Sequence, residues 1–231
     1  MFEKGFYWLF KDKIWKSFGV MFYDKRNDFL LDLLAELQEA VSLARNNDGE
    51  FYVLDVGCGT GDISEKISKM FHLSTVGVDL DKRFISSNNV NFLNADSCKL
   101  PFRLRTFRMI TAFSLIEHIE KNYRQVFYDE VKKLLLDDAT FVIQLPNRYF
   151  PVEQHSFLPF VGYLPSRLHR LFYFSYVSVP SKKETLDELT RHGFEIVRIM
   201  NYGIPFSGFP GRHLLSKFVP FGFIIIAKKR M

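Results

Sequence analysis

Cysteine is scarce in this chain: Cys58 and Cys98 are the only two in 231 residues. Two thiols cannot build a disulfide framework or a four-thiolate metal centre, so a reducing, cytoplasmic setting is expected. Long apolar runs are missing too. The stretch 6–10 is closed by Lys11 and Asp12, too short for the core of a secretory signal, and 221–227 is too short to cross a bilayer. The sequence therefore reads as a soluble or peripheral protein. It has no internal repeat and no low-complexity linker, and its length suits a single domain over 1–231 with one core.

Phenylalanine, by contrast, is abundant, with 26 residues, which calls for a large core or an apolar ligand surface. The formal charge is +5, and the basic residues gather in positions 1–26, in 167–170 and in the tail Lys228, Lys229 and Arg230. Such a surface is compatible with an anionic membrane or with nucleic acid and establishes neither. Through the middle of the chain, strand-like segments (51–56, 74–79, 90–94, 107–113, 140–145, 194–201, 221–228) alternate with helix-like ones (62–70, 122–136, 182–192). That alternation predicts an α/β fold with a mostly parallel sheet covered by helices. Ser181 and Glu184 form a capping box at the start of the last helix, and Gly193 follows its end. Only about ten residues separate 79 from the next strand, so a stunted helix or a bare loop is expected there. Two segments stand outside the alternation. Residues 1–45 read as an N-terminal helical cap, and 146–180, dense in aromatics and prolines, read as a cap insertion on the substrate side, because loops at the carboxyl ends of strands are where open sheets bind ligands.

The stretch "VLDVGCGTGD" at 53–62 ends a strand in three glycines, Gly57, Gly59 and Gly61, and lets backbone approach a ligand closely. It is not a P-loop, since no lysine occurs between Gly57 and Lys66, and Asp62 stands where the nicotinamide fingerprint has its third glycine. Charge argues in the same direction. A carboxylate about 4 Å from a pyrophosphate would cost roughly 4 kcal/mol at an effective dielectric near 20, and Asp55 and Asp62 bracket the loop. The same acids would attract a cation, so the loop suits a positively charged nucleoside.

Together with "VGVDLD" at 76–81, "NADSCKLPF" at 94–102 and "FRMITAFSLIEHI" at 107–119, this loop resembles the successive motifs of class I S-adenosylmethionine-dependent methyltransferases. The resemblance covers roughly 50–145. It implies a three-layer, Rossmann-like fold with a seven-stranded sheet in the order 3-2-1-4-5-7-6, the last strand antiparallel, and S-adenosyl-L-methionine as cofactor. By position it implies that Asp79 accepts from the ribose hydroxyls and Asp96 from the adenine amino group, with Ser97 or Cys98 offering a backbone N–H to the ring. Leu80 and Leu100 would lie near the adenine, Asp55 would meet the methionine ammonium directly or through water, and Phe113 and Ser114 would line the methionine arm.

On the acceptor side, Glu117 and His118 follow the fourth strand and Glu153 and His155 follow the fifth, so the two pairs are expected to converge. His155 or His118 is the expected general base on an acceptor hydroxyl, with Glu153 or Glu117 as orienting partner. The arrangement is similar to E-x-x-E-H plus a later histidine, which binds a divalent metal in some ubiquinone and small-RNA 3′-end methyltransferases. Ser114 replaces the first glutamate of that pattern, and no metal is expected on this ground. Phe157, Leu158, Phe160, Val161, Tyr163 and Leu164 form either a lid for an apolar acceptor or a staple for the cap. The expected activity is methyl transfer to a small, apolar or amphipathic acceptor, lipid or quinone-like, at oxygen. An RNA or protein methyltransferase is the alternative within enzymes, although no separate nucleic-acid motif is present, and a non-catalytic cofactor-binding partner subunit is the alternative outside them. The aromatic, basic N-terminal segment leaves peripheral membrane contact open.

Overall fold

The structure is a computed structural model that describes residues 33, 37–44, 51–82, 84–155, 158–165, 168, 177–203 and 217–230. Within these, strands β1 (Tyr52–Val56), β2 (Ser74–Asp79), β3 (Val90–Asn94), β4 (Phe107–Phe113), β5 (Leu135–Pro146), β6 (Phe194–Tyr202) and β7 (Gly222–Lys229) alternate with helices α1 (Asp62–Phe71), α2 (Arg124–Leu134) and α3 (Lys182–Arg191). The strands form one seven-stranded sheet in the order β3-β2-β1-β4-β5-β7-β6. Pairings from β3 to β5 are parallel, and β7 runs antiparallel to both β5 and β6.

Burial of both faces explains why these strands read as near-continuous apolar runs. Successive residues of one strand point to opposite faces. Leu54, Ile110, Phe141, Ile143 and Ile225 join one core, with Phe127, Tyr128 and Val131 of α2 and Leu189 of α3. Their neighbours Val53, Met109, Val142, Ile224 and Ile226 join the other, with Ile67 and Phe71 of α1 and Leu37, Ala40 and Val41 of the helical stretch 37–44. The result is three layers, with a helix layer on each face of the sheet. Full burial of a leucine, isoleucine or phenylalanine contributes about 1.5–3 kcal/mol, so the two cores fix the strand register.

Local signals agree with this frame. Ser181 accepts from the Glu184 amide while the Glu184 carboxylate accepts from the Ser181 amide, a complete capping box, and Gly193 follows α3 at φ +80°. No helix forms among the described residues of 80–89. The largest difference from the expected boundaries lies between α2 and β5. Residues 135 and 136 belong to β5 rather than to α2, because Leu135 pairs with Phe107, while Lys229 and Lys228 of β7 pair with Asp137 and Asp138. Of the two caps, only 33 and 37–44 of the first are described, and the aromatic, basic stretch 1–26 lies outside the described residues, as does Phe157 of the second. No helix among the described residues is long and apolar enough to cross a membrane.

The strand order reverses between β1 and β4, and the crevice above that reversal is where such sheets bind ligands.

Candidate active site

The glycine loop leaves β1 and returns at once into α1. It is held down by two amides, Gly57 N and Cys58 N, which donate to Val78 O at 2.8 and 3.0 Å. All three loop glycines have positive φ, at +74°, +59° and +93° for Gly57, Gly59 and Gly61. Their surroundings differ. A Cβ on Gly57 would meet Leu115 at 2.8 Å and one on Gly61 would meet the Phe92 ring at 2.3 Å, so those two glycines serve packing beneath the loop. A Cβ on Gly59 would meet nothing within 4 Å, so its backbone faces open space.

Three acids surround that space. Asp79, at the end of β2, accepts from Gly59 N at 2.8 Å through Oδ2 and from Asp81 N at 2.9 Å through Oδ1. Asp55 is 1% exposed and is bound from two sides, by Ser64 Oγ of α1 at 2.6 Å and Thr111 Oγ1 of β4 at 2.8 Å. Burial pushes its carboxyl up to about 6 despite those two donors, and the charge of Asp79 adds to the rise. Asp62, at the start of α1, accepts from the Thr60 hydroxyl. Among the described residues Asp55 and Asp79 form no ion pair, so two carboxylates border an open glycine turn without a cation between them. A ligand bringing positive charge would lower the cost of ionising Asp55, and one bringing phosphate would raise it.

The remaining cofactor-side residues line the same rim. Leu80 is 69% exposed, an apolar side chain free to cover a ligand's ring, whereas Leu100 is buried in the core. Asp96 accepts from Cys98 N at 2.8 Å and so closes its own turn; of the two amides considered for the adenine ring, that of Cys98 is engaged here. Cys58 is half-buried, and burial with the nearby Asp55 charge pushes its thiol well up, so it packs as a neutral group. Phe113 is buried at the end of β4. Ser114 follows it at φ +49° and donates to Gln144 Oε1 at 2.8 Å.

The acceptor-side residues converge as the topology requires, because β4 and β5 are neighbours. Glu117 and His118 lie on a short 3-10 turn, Ile116–His118, directly after β4. The chain after β5 folds back through the bridge Val152↔Pro159 and delivers His155 above that turn. His155 Nδ1 lies 2.8 Å from Glu153 Oε1, and its backbone N–H donates to Glu153 Oε2 at 3.0 Å. The imidazole therefore turns Nε2 toward Glu117, 4.0 Å from Oε1, and its ring meets that of His118 edge-on with centroids 5.4 Å apart. Burial disfavours charge on His155, but the bonded Glu153 and the nearby Glu117 raise its proton affinity overall. Of the two glutamates considered as orienting partner, Glu153 makes the hydrogen bond. Thr111, Ser64, Phe92, Gln144 and Tyr202 were not anticipated; the Gln144 amide donates to the Tyr202 hydroxyl beneath the site.

Residues 53–138 match the family model described as a methyltransferase domain. Among solved structures, the chain is similar to a SAM-dependent methyltransferase of Methanosarcina mazei, with TM-score 0.59 and 19% identity over 80% of this chain and 95% of that one. It is also similar to the magnesium protoporphyrin IX methyltransferase of Synechocystis PCC 6803 solved with bound SAH, with TM-score 0.61 and 14% identity over 90% and 86%. A [4+2]-cyclase, SpnF, is similar at TM-score 0.59 and 15% identity over 88% and 81%. No curated protein sequence matches. The matched domain, the sheet order and the acid-flanked glycine loop agree: residues 53–138 match a methyltransferase domain, and the chain shares the fold of solved SAM-dependent methyltransferases. The matched domain is a methyltransferase domain, and the solved structures that share the fold include one that holds SAH.

Removing the charge of Asp79 tests the cofactor side. Asp79→Asn is expected to weaken S-adenosylmethionine binding about 10- to 100-fold, the worth of one or two hydrogen bonds to a charged acceptor. Titration calorimetry measures it, with circular dichroism confirming the fold.

Proposed function

We propose that this enzyme methylates a hydroxyl oxygen on a small, apolar or amphipathic acceptor, with His155 as the general base. The observation that carries the reading is the orientation of one imidazole: Glu153 holds Nδ1, and Nε2 is presented at the mouth of the site beside Glu117. When bound, S-adenosylmethionine supplies an electrophilic methyl group on a sulfonium. The residues that would hold it are the loop glycines Gly57, Gly59 and Gly61 with Cys58, Asp79 for the ribose, Leu80, Asp96 and Ser97 for the base, and Asp55, Phe113 and Ser114 for the methionine arm. His155 Nε2 takes the acceptor's hydroxyl proton, Glu153 stabilises the imidazolium that forms, and His118 shields the pair from one side. Much of the remaining acceleration comes from alignment and exclusion of water.

The apolar acceptor is argued from the cap. Phe160 is 62% exposed, and Tyr163 and Tyr149 are exposed beside it with rings in contact, whereas Val161 is buried and anchors the segment. Part of the insertion thus staples and part offers an aromatic surface. The two cysteines form no disulfide and support a reducing, cytoplasmic setting. Incubating the enzyme with radiolabelled methyl donor and separate lipid, small-molecule, RNA and protein fractions of its host tests the proposal. Label is expected in the lipid or small-molecule fraction as a base-stable ether; label confined to RNA or protein would overturn it.

A further inference from the structure

One carboxylate of the acceptor site is buried without a hydrogen bond. Glu117 is 1% exposed, and neither carboxylate oxygen receives a hydrogen bond from another described residue. The nearest buried guanidinium, on Arg124, is spent on the carbonyls of Ile119 and Ser178. A carboxylate taken out of water without donors is costly, and a buried polar group left so in a native fold calls for an explanation, a bound ion being one.

The neighbours identify that ligand. One ligand atom each from Glu117, His118 and His155 lie within 4.8 Å of one another. Ligands about 2.1 Å from a tetrahedral ion stand about 3.4 Å apart, so the 4.0 Å between His155 Nε2 and Glu117 Oε1 closes with a small side-chain rotation. The second layer is in place as well. Glu153 holds His155 Nδ1, which fixes the tautomer that presents Nε2, as partners of metal-bound histidines do. Ser114 takes no part, since its hydroxyl is committed to Gln144. The three-residue set is therefore defined by this geometry and not by the residue at position 114.

We propose that Glu117, His118 and His155 bind one divalent transition-metal ion, with Glu153 as the positioning residue. Two imidazoles and one carboxylate suit the zinc, cobalt and iron(II) class, whereas magnesium and calcium favour all-oxygen sites. Three protein ligands leave a coordination position open, where an acceptor oxygen would be polarised. The inference rests on the proposed acceptor site in that both use His155 Nε2: the lone pair serves as a ligand when the ion is present and as a base when it is absent.

The test needs neither methyl donor nor acceptor. Full-length protein stripped with chelator is titrated with zinc chloride by calorimetry and with cobalt(II) by visible absorption. One ion per chain is expected, with visible cobalt bands of a four- or five-coordinate site. Glu117→Gln and His118→Ala should each weaken binding tenfold or more, and Glu153→Gln about 10- to 100-fold. His118 is exposed, so its variant keeps the test valid if the buried Glu117→Gln fails to fold. Absence of saturable binding, or binding unchanged in these variants, overturns the ion. The base reading has a separate fate: it fails if chelator-stripped enzyme loses transfer that zinc or cobalt restores, and stands if stripped enzyme turns over at the full rate.

Discussion

Gly61→Ala is expected to destabilise the protein by several kcal/mol and to reduce S-adenosylmethionine affinity by on the order of tenfold or more. Two costs combine at this position. The residue sits at φ +93°, where a side chain costs about 1–2 kcal/mol. Its new Cβ would also stand 2.3 Å from the Phe92 ring, which cannot simply swing away because it is stacked on Phe84 at 5.0 Å. Overpacking of this kind costs about 1–3 kcal/mol and shifts backbone. The backbone that shifts is the glycine loop itself. Gly59→Ala provides the contrast: at φ +59° with open space around it, it should lose only about 1–2 kcal/mol of stability, while its methyl projects toward the ligand and still weakens cofactor binding. Urea unfolding separates the two variants, and calorimetry should group them together.

His155→Ala is expected to lower kcat for methyl transfer by about 10²–10⁴, the usual worth of a positioned general base. Cofactor affinity should be unaffected, because among the described residues the imidazole meets Glu153, Glu117 and His118, all on the acceptor side. The variant leaves a ring-sized gap, so added imidazole should restore part of the rate in the ion-free enzyme. Glu153→Gln should fall between wild type and His155→Ala, since the base remains but loses the partner that sets its tautomer. Single-turnover kinetics on the acceptor fraction that takes up label measure all three effects. A His155→Ala enzyme with undiminished turnover would remove the assignment.

How far the sequence alone reaches differs from one element to another. β2, β3 and β4 are readable to the residue because alternating β-branched and aromatic side chains are bounded by turn formers and by charge. The start of β5 is not, because "KKLLLDD" carries helix-forming residues. The pairing that overrides their preference comes from Phe107 and from the distant Lys228 and Lys229. The site shows the same division. The acid-flanked glycine loop and the meeting of Glu117 with His155 follow from local chemistry and strand order. The bonds of Thr111 and Ser64 to Asp55 depend on the register that sets Asp55 beside Thr111, which no local pattern encodes. The choice of Glu153 over Glu117 as the partner of His155 depends likewise on how the cap folds back after β5.

The Phe92 ring fills the space beside Gly77 as well as beneath Gly61. These three positions, far apart along the chain, therefore cannot drift independently over evolutionary time. A descendant that acquires a side chain at 61 or 77 must first, or simultaneously, shrink the aromatic at 92, and one that keeps the phenylalanine inherits both glycines as fixed.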